Sequence, residues 1–143
     1  MNLSIQLAIG IVVSILIVVI VGKYSERKQK QLLDLAFKGR ESLTTEQFYQ
    51  RFFENQGIPF DVVEGVKNIF SEELAIDFSR LHDDDDFSKN IRFIWDLDSM
   101  ADVEIVLALE KKFSIRIDDD EAANIRTFRD LVHFVNDKTK RSE

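Results

Sequence analysis

The chain has no cysteine, a single proline, only two histidines and, across its first 22 residues, no charged side chain. Without cysteine there is no disulfide framework, no thiolate nucleophile and no thiolate metal site, and nothing follows about compartment. His82 and His133 have no sulfur ligand to join them, so a structural zinc site has no ligand set. The acidic runs Asp83 to Asp86 and Asp118 to Glu121 invite calcium, but neither is followed by glycine at the sixth loop position with an acid at the twelfth, as an EF-hand requires. Both runs read as solvated loops and helix starts, and no metal is expected. The sequence contains no internal repeat, no low-complexity tract and no second globular domain.

What is present begins with Met1 to Gly22, an uncharged run rich in Ile, Val and Leu that is long enough to cross a bilayer as one helix. A secretory signal peptide competes with that reading. No Lys or Arg precedes the apolar run and no small-residue cleavage pattern follows it, so a retained anchor over residues 1–22 is expected. Lys23, Arg27, Lys28 and Lys30 follow at once, and the positive-inside rule then predicts a single pass through the cytoplasmic membrane, N-terminus out and the remainder in the cytoplasm.

Residues 23–43 hold six basic and three acidic side chains, so the rest of the chain carries a net charge of −10 against −7 overall. Duplex nucleic acid binding needs a basic face to neutralise phosphates and is not expected; basic partner proteins are. In this juxtamembrane segment Leu32, Leu33, Ala36 and Phe37 fall at helical spacing, which suits either a continued helix or a flexible tether.

Over residues 44–58, Thr44 with Gln47 has the form of a capping box, and Phe48, Tyr49, Phe52 and Phe53 follow until Gly57 and Pro59 end the element. This additional amphipathic helix is expected to pack as an extra layer, or else to serve as a docking surface. Asp61 with Glu64 is expected to start the next helix, with Val62, Val66, Ile69, Phe70 and Leu74 on one face. In the stretch Ile76 to Trp95, the residues Phe87, Ile91, Phe93, Ile94 and Trp95 predict a loop that packs down. Thr127 with Asp130 marks a last helix offering Phe128, Leu131, Val132 and Val135. The expected fold is all-α: an antiparallel helical bundle over residues 59–138, with the extra helix before it, one membrane helix at the N-terminus and a short tail over 139–143.

The segment Asp96-Leu97-Asp98-Ser99-Met100 leads into Ala101-Asp102-Val103-Glu104-Ile105-Val106-Leu107-Ala108-Leu109-Glu110-Lys111-Lys112-Phe113. An Asp-Ser pair before an apolar run reads first as a helix start, because either side chain can cap the free amides of a first turn. Ser99 lacks a G-x-S-x-G elbow, so a hydrolase triad is poorly supported. As a whole the segment resembles the acyl carrier protein family, with Asp98-Ser99-Met100 in place of the D-S-L-type triplet, then a V-E-containing helix ending in L-E-x-x-F. The likeness continues from Phe113 through Val132 and covers roughly the last eighty residues.

That resemblance implies a non-catalytic carrier in which Ser99 bears covalent 4'-phosphopantetheine, the only source of a thiol in a chain without cysteine. A phosphodiester there would face free amides and the positive end of a helix dipole, so capping and modification can coexist at Ser99. It implies further that Asp96, Asp98, Met100, Asp102 and Glu104 meet basic docking patches on partners, namely a phosphopantetheinyl transferase and acyl-activating, acyl-transferring or condensing enzymes. The sequence departs from the family at Ala101-Asp102, where an acid then Thr is usual, and at Lys111-Lys112, where acids are usual; this implies a specialised partner set. Val103, Val106 and Leu107 point away from Ile105 and Leu109, so part of this helix builds core and the rest either lines an acyl cleft, docks a partner or is simply packed, and Trp95 is equally open. The expected function is a membrane-anchored carrier. The alternative is an acyl-carrier-like scaffold in which Ser99 only caps a helix and the acidic surface recruits a basic partner to the membrane.

Overall fold

The computed structural model describes residues 2–97 and 99–142. The chain divides into two compact units, Met1–Lys38 and Gly39–Glu143. The first is a single helix, α1 (Leu3–Ala36), begun by the amides of Ile5 and Gln6 donating to the Asn2 carbonyl at 2.9 and 3.2 Å. Its 34 residues span about 51 Å at 1.5 Å each. By length and composition it is able to cross a membrane, and the helix continues unbroken through Lys23, Arg27, Lys28 and Lys30.

The second unit holds α2 (Thr45–Phe52), a 3-10 turn at Glu54–Gln56, α3 (Phe60–Leu74), α4 (Phe93–Leu97), α5 (Ala101–Phe113), α6 (Asp119–Ala122) and α7 (Phe128–Ser142). Among the described residues the one extended pairing is an isolated antiparallel bridge between Asp86 and Thr127. The unit is an all-helical bundle of the acyl-carrier kind, with α3 at its centre contacting α2, α5 and α7.

Local rules account for most of these boundaries. Thr44 Oγ1 accepts the Gln47 amide at 3.2 Å while Gln47 Oε1 accepts the Thr44 amide at 2.9 Å, a closed capping box that starts α2. Thr127 and Asp130 make the same reciprocal pair at the start of α7, at 3.0 and 3.1 Å, and Asp118 with Glu121 opens α6. Asp61 does not start α3, contrary to expectation: Pro59 holds the N-cap position at φ −62° and Asp61 already lies in the first turn, because proline pre-sets the backbone without needing a side-chain acceptor. α7 continues through residues expected as a tail, with Thr139 Oγ1 donating to the Val135 carbonyl at 2.8 Å.

The core gathers Val62, Val63, Val66, Ile69 and Phe70 of α3, Ile105 and Leu109 of α5, and Phe128, Leu131, Val132 and Val135 of α7. Phe48 brings α2 into it, with its ring edge-on to Phe128 at 5.7 Å. Each such ring taken fully from water contributes about 1.5–3 kcal/mol. The extra helix is therefore a layer of this core. Lys67 of α3 lies under that layer, its Nζ 5.2 Å from the Phe48 ring centroid, and burial pushes its pKa down.

The acidic run Asp83 to Asp86 overturns the expectation of a solvated loop. Asp83 and Asp85 are buried. Asp85 receives Arg40 on both oxygens and the His82 amide on Oδ2 at 2.8 Å, and Asn90 donates to Oδ1. Asp83 binds the Arg129 side chain through Nε at 2.6 Å, and its carbonyl accepts the Arg129 amide at 2.7 Å. Carboxylates paired this fully can leave water, which an isolated acidic tetrad cannot.

Candidate functional site

Ser99 lies in the turn between α4 and α5 and is exposed. The turn is fixed from both ends. Ile91 and Ile94 are fully buried on the near side, Ala101 is fully buried on the far side, and the Trp95 indole Nε1 donates to the Phe87 carbonyl at 3.0 Å. A short polar link held between two apolar anchors leaves its hydroxyl outside, where a second protein can reach it.

The capping role expected of Ser99 falls one residue further on. Met100 occupies the N-cap position of α5, with φ −108° and ψ −1°, and its side chain has no oxygen to accept a bond from a first-turn amide. The Glu104 amide bonds the Met100 carbonyl at 3.0 Å, and the Val103 amide is taken by Asp102 Oδ1 at 2.9 Å. Ser99 is thus released from cap duty because an acid inside the first turn accepts one of the amides.

Asp96, Asp102 and Glu104 are exposed, and Met100 is 53% exposed. Asp98 lies outside the described residues. Along α5, Ala101, Ile105 and Leu109 are buried while Val103 and Leu107 are exposed, which divides the helix into a core face and an outward apolar stripe. Lys111 and Lys112 sit in its last turn, where cations complement the helix dipole.

Beside the turn opens a cavity of about 510 Å³. Phe70, Trp95, Ile105, Leu109 and Leu131 form its walls, and Ser88, Arg92, Asp102 and Arg126 line it from exposed positions. One wall is a run of aromatic rings, Phe70 stacked on Phe87 at 5.6 Å and Phe87 beside Trp95 at 5.7 Å. The Phe87 amide bonds the Arg126 carbonyl at 2.9 Å, and the Phe128 amide bonds the Asp85 carbonyl at 3.2 Å, so the buried acidic run ties the cavity wall to the start of α7. Asp86, beside it, has its pKa lowered by the Ser88 hydroxyl and amide, with Lys89 and Arg126 adding to the effect. An apolar pocket of this size takes a small organic chain.

Arg92 and Arg126 are among the lining residues that escaped the sequence reading. Arg92 precedes Trp95 by one helical turn, a spacing that would have placed them side by side; Arg126 is brought in only by the bridge to the acidic run. His133 is half-buried and bonds Gln56 Oε1 through Nε2 at 2.6 Å.

Residues 64–135 match the family of the phosphopantetheine attachment site. The acyl carrier protein of Helicobacter hepaticus is 42% identical over 77 residues, covering 52% of this chain and 93% of that protein. The acyl carrier protein of Thermosynechococcus vestitus is 31% identical over 78 residues, covering 54% of this chain and 91% of its own length. The family match leaves residues 1–63 uncovered, and each of the two relatives covers about half of this chain.

Proposed function

Since this chain belongs to the acyl carrier protein family, whose covalent cofactor is 4'-phosphopantetheine, we propose that it is a membrane-anchored carrier with Ser99 as the attachment residue. The observation that carries the reading is positional. Ser99 is exposed in a turn whose two flanks, Trp95 and Asp102, both line the apolar cavity. A group attached to Ser99 Oγ therefore starts beside the mouth of a pocket suited to an acyl chain.

The residues fit the group. The Ser99 hydroxyl is accessible to a transferase, the N-terminal end of α5 favours the phosphodiester charge, and Asp102 leaves other first-turn amides to it. When bound, the arm supplies a thiol that holds acyl cargo as a thioester. The chain's own part is to orient and shelter: Trp95, Ile105 and Leu109 exclude water from an apolar chain, while Asp96, Asp98, Met100, Asp102 and Glu104 are the residues it offers to the transferase and to acyl-handling enzymes. The carrier itself makes and breaks no bond of the cargo.

α1 is the anchor in this reading, N-terminus outside, with Lys23, Arg27, Lys28 and Lys30 on the cytoplasmic side. Tethering raises the local concentration of cargo at membrane-bound enzymes without any further contact. Intact mass of the full-length protein from its native membrane, with peptide mapping over residues 96–111, tests the proposal. A phosphopantetheine mass on Ser99 is expected, and any additional mass gives the cargo class. An unmodified Ser99 would reject the carrier and leave a scaffold that recruits a basic partner.

A further inference from the structure

The outward face of α5 reverses its charge along its length. At 3.6 residues per turn, Val103, Glu104, Leu107 and Lys111 fall on one stripe. Val103 and Leu107 are 44% and 58% exposed, and Glu104 and Lys111 are exposed with them. The core takes the opposite face through Ala101, Ile105 and Leu109, so nothing in the bundle needs this stripe.

The neighbours of Lys111 leave its charge on the stripe. Glu110, next to it, is turned into the fold and accepts the Ile117 amide on Oε1 at 2.7 Å. Lys112 runs toward α3, where its Cε lies against Gly65. Glu104 and Lys111 are two turns apart, about 10.5 Å along the axis, too far to pair and beyond the Debye length of about 8 Å at physiological salt. Each end therefore presents its own sign: acidic at Glu104, apolar at Val103 and Leu107, basic at Lys111.

We propose that Lys111 reads an acidic patch on the partner enzyme, so that α5 docks in a groove with a basic side chain opposite Glu104, an apolar pit for Val103 and Leu107, and carboxylates opposite Lys111. The proposal rests on the carrier reading and names the chemistry of its partner. Two ends of opposite sign fix the direction of the helix in the groove, because the reversed pose sets like charges together at both ends. Direction matters here because Ser99 lies at the acidic end, so only one pose delivers its cargo to the partner. The same lysine turns away enzymes whose docking patch is wholly basic.

The test is photocrosslinking of the full-length chain in its native membrane with Leu107 replaced by p-benzoylphenylalanine, alone and combined with Lys111→Glu or Lys111→Arg. An adduct with an acyl-handling enzyme is expected. It should fall at least tenfold with Lys111→Glu, persist with Lys111→Arg, and map on the partner beside a cluster of Asp or Glu. No adduct, an adduct between two copies of this chain, or an adduct unchanged or strengthened by Lys111→Glu overturns the proposal. Intact mass of the same sample reads Ser99 independently: an unmodified serine rejects the carrier reading, whatever the crosslink shows.

Discussion

Arg40 grips Asp85 with both ends of its guanidinium, Nη1 at 2.7 Å from Oδ2 and Nη2 at 2.9 Å from Oδ1, with the Asp85 side chain 1% exposed. The pair raises the Arg40 pKa above its ordinary value, chiefly through the hydrogen bond to Asp85. Arg40→Gln leaves a buried carboxylate with only the His82 amide and Asn90 to hold it. The expected loss of stability is about 3 kcal/mol, the low end for stripping one partner from a buried ion pair. Arg40→Lys should recover little of it, because an ammonium cannot reach both oxygens. Denaturant midpoints of the full chain check both variants.

This contact explains where the sequence was legible and where it was not. Elements set by neighbours within one turn were readable: the Thr44–Gln47 box, the Thr127–Asp130 box and the separation of Ile105 and Leu109 from Val103 and Leu107 on α5, though Val106, grouped with the latter pair, is half-buried and lines the cavity. The buried acidic run was not, because Asp85 and Asp83 find their arginines 45 and 46 residues away, and nothing local distinguishes a paired carboxylate from a solvated one. At the site, an exposed serine at a loop-to-helix boundary was readable from the motif. The shift of the cap to Met100 depended on where buried Ala101 fixes the first turn of α5, a packing fact with no local signature.

Gly65 is where α3 lets α5 come close. A Cβ added there would meet Lys112 Cε and Phe113 Cζ, each at 2.8 Å. The lysine tip can swing away, but the Phe113 ring cannot do so without moving the helix pair. Gly65→Ala should gain up to about 1 kcal/mol of helix propensity and lose about 1–3 kcal/mol to overpacking, for a net destabilisation. A lowered thermal midpoint is the expected result, and a raised one would show that the α3–α5 seam has slack.

Asp77 gives the acid limb a predictable sign. Its Oδ1 accepts the Ser79 amide at 2.8 Å, and this bond, ahead of the Ser79 hydroxyl, Arg80 and Lys67, holds its pKa below the ordinary 3.8. A depressed carboxylate stabilises the fold while ionised, so its contribution is complete above the ordinary value and disappears as pH falls through the lower folded value. Thermal midpoints taken from about pH 5 down to about pH 3 should therefore fall less steeply for Asp77→Asn than for the parent chain. Equal slopes would place the acid-sensitive groups elsewhere.

Ser99→Ala separates modification from structure. The serine is exposed and the N-cap position belongs to Met100, so the substitution should change stability by no more than about 0.5 kcal/mol, the usual range for a surface site. Phosphopantetheine addition, read by intact mass, should be lost entirely. A stability loss near 1 kcal/mol or above would return the serine to a capping role.

Trp95 is the only tryptophan and lines the cavity, so it reports on what enters. Loading the arm with a saturated medium-length acyl chain should shift its emission to shorter wavelength, as apolar contacts replace water at the indole. Ala122, on α6, lines the same space, and Ala122→Phe should fill enough of it to remove the shift without preventing arm addition at Ser99. The two results belong together. A shift that survives Ala122→Phe would mean that the chain lies on the surface of Trp95, and no shift in the parent would mean that the cargo stays outside the bundle.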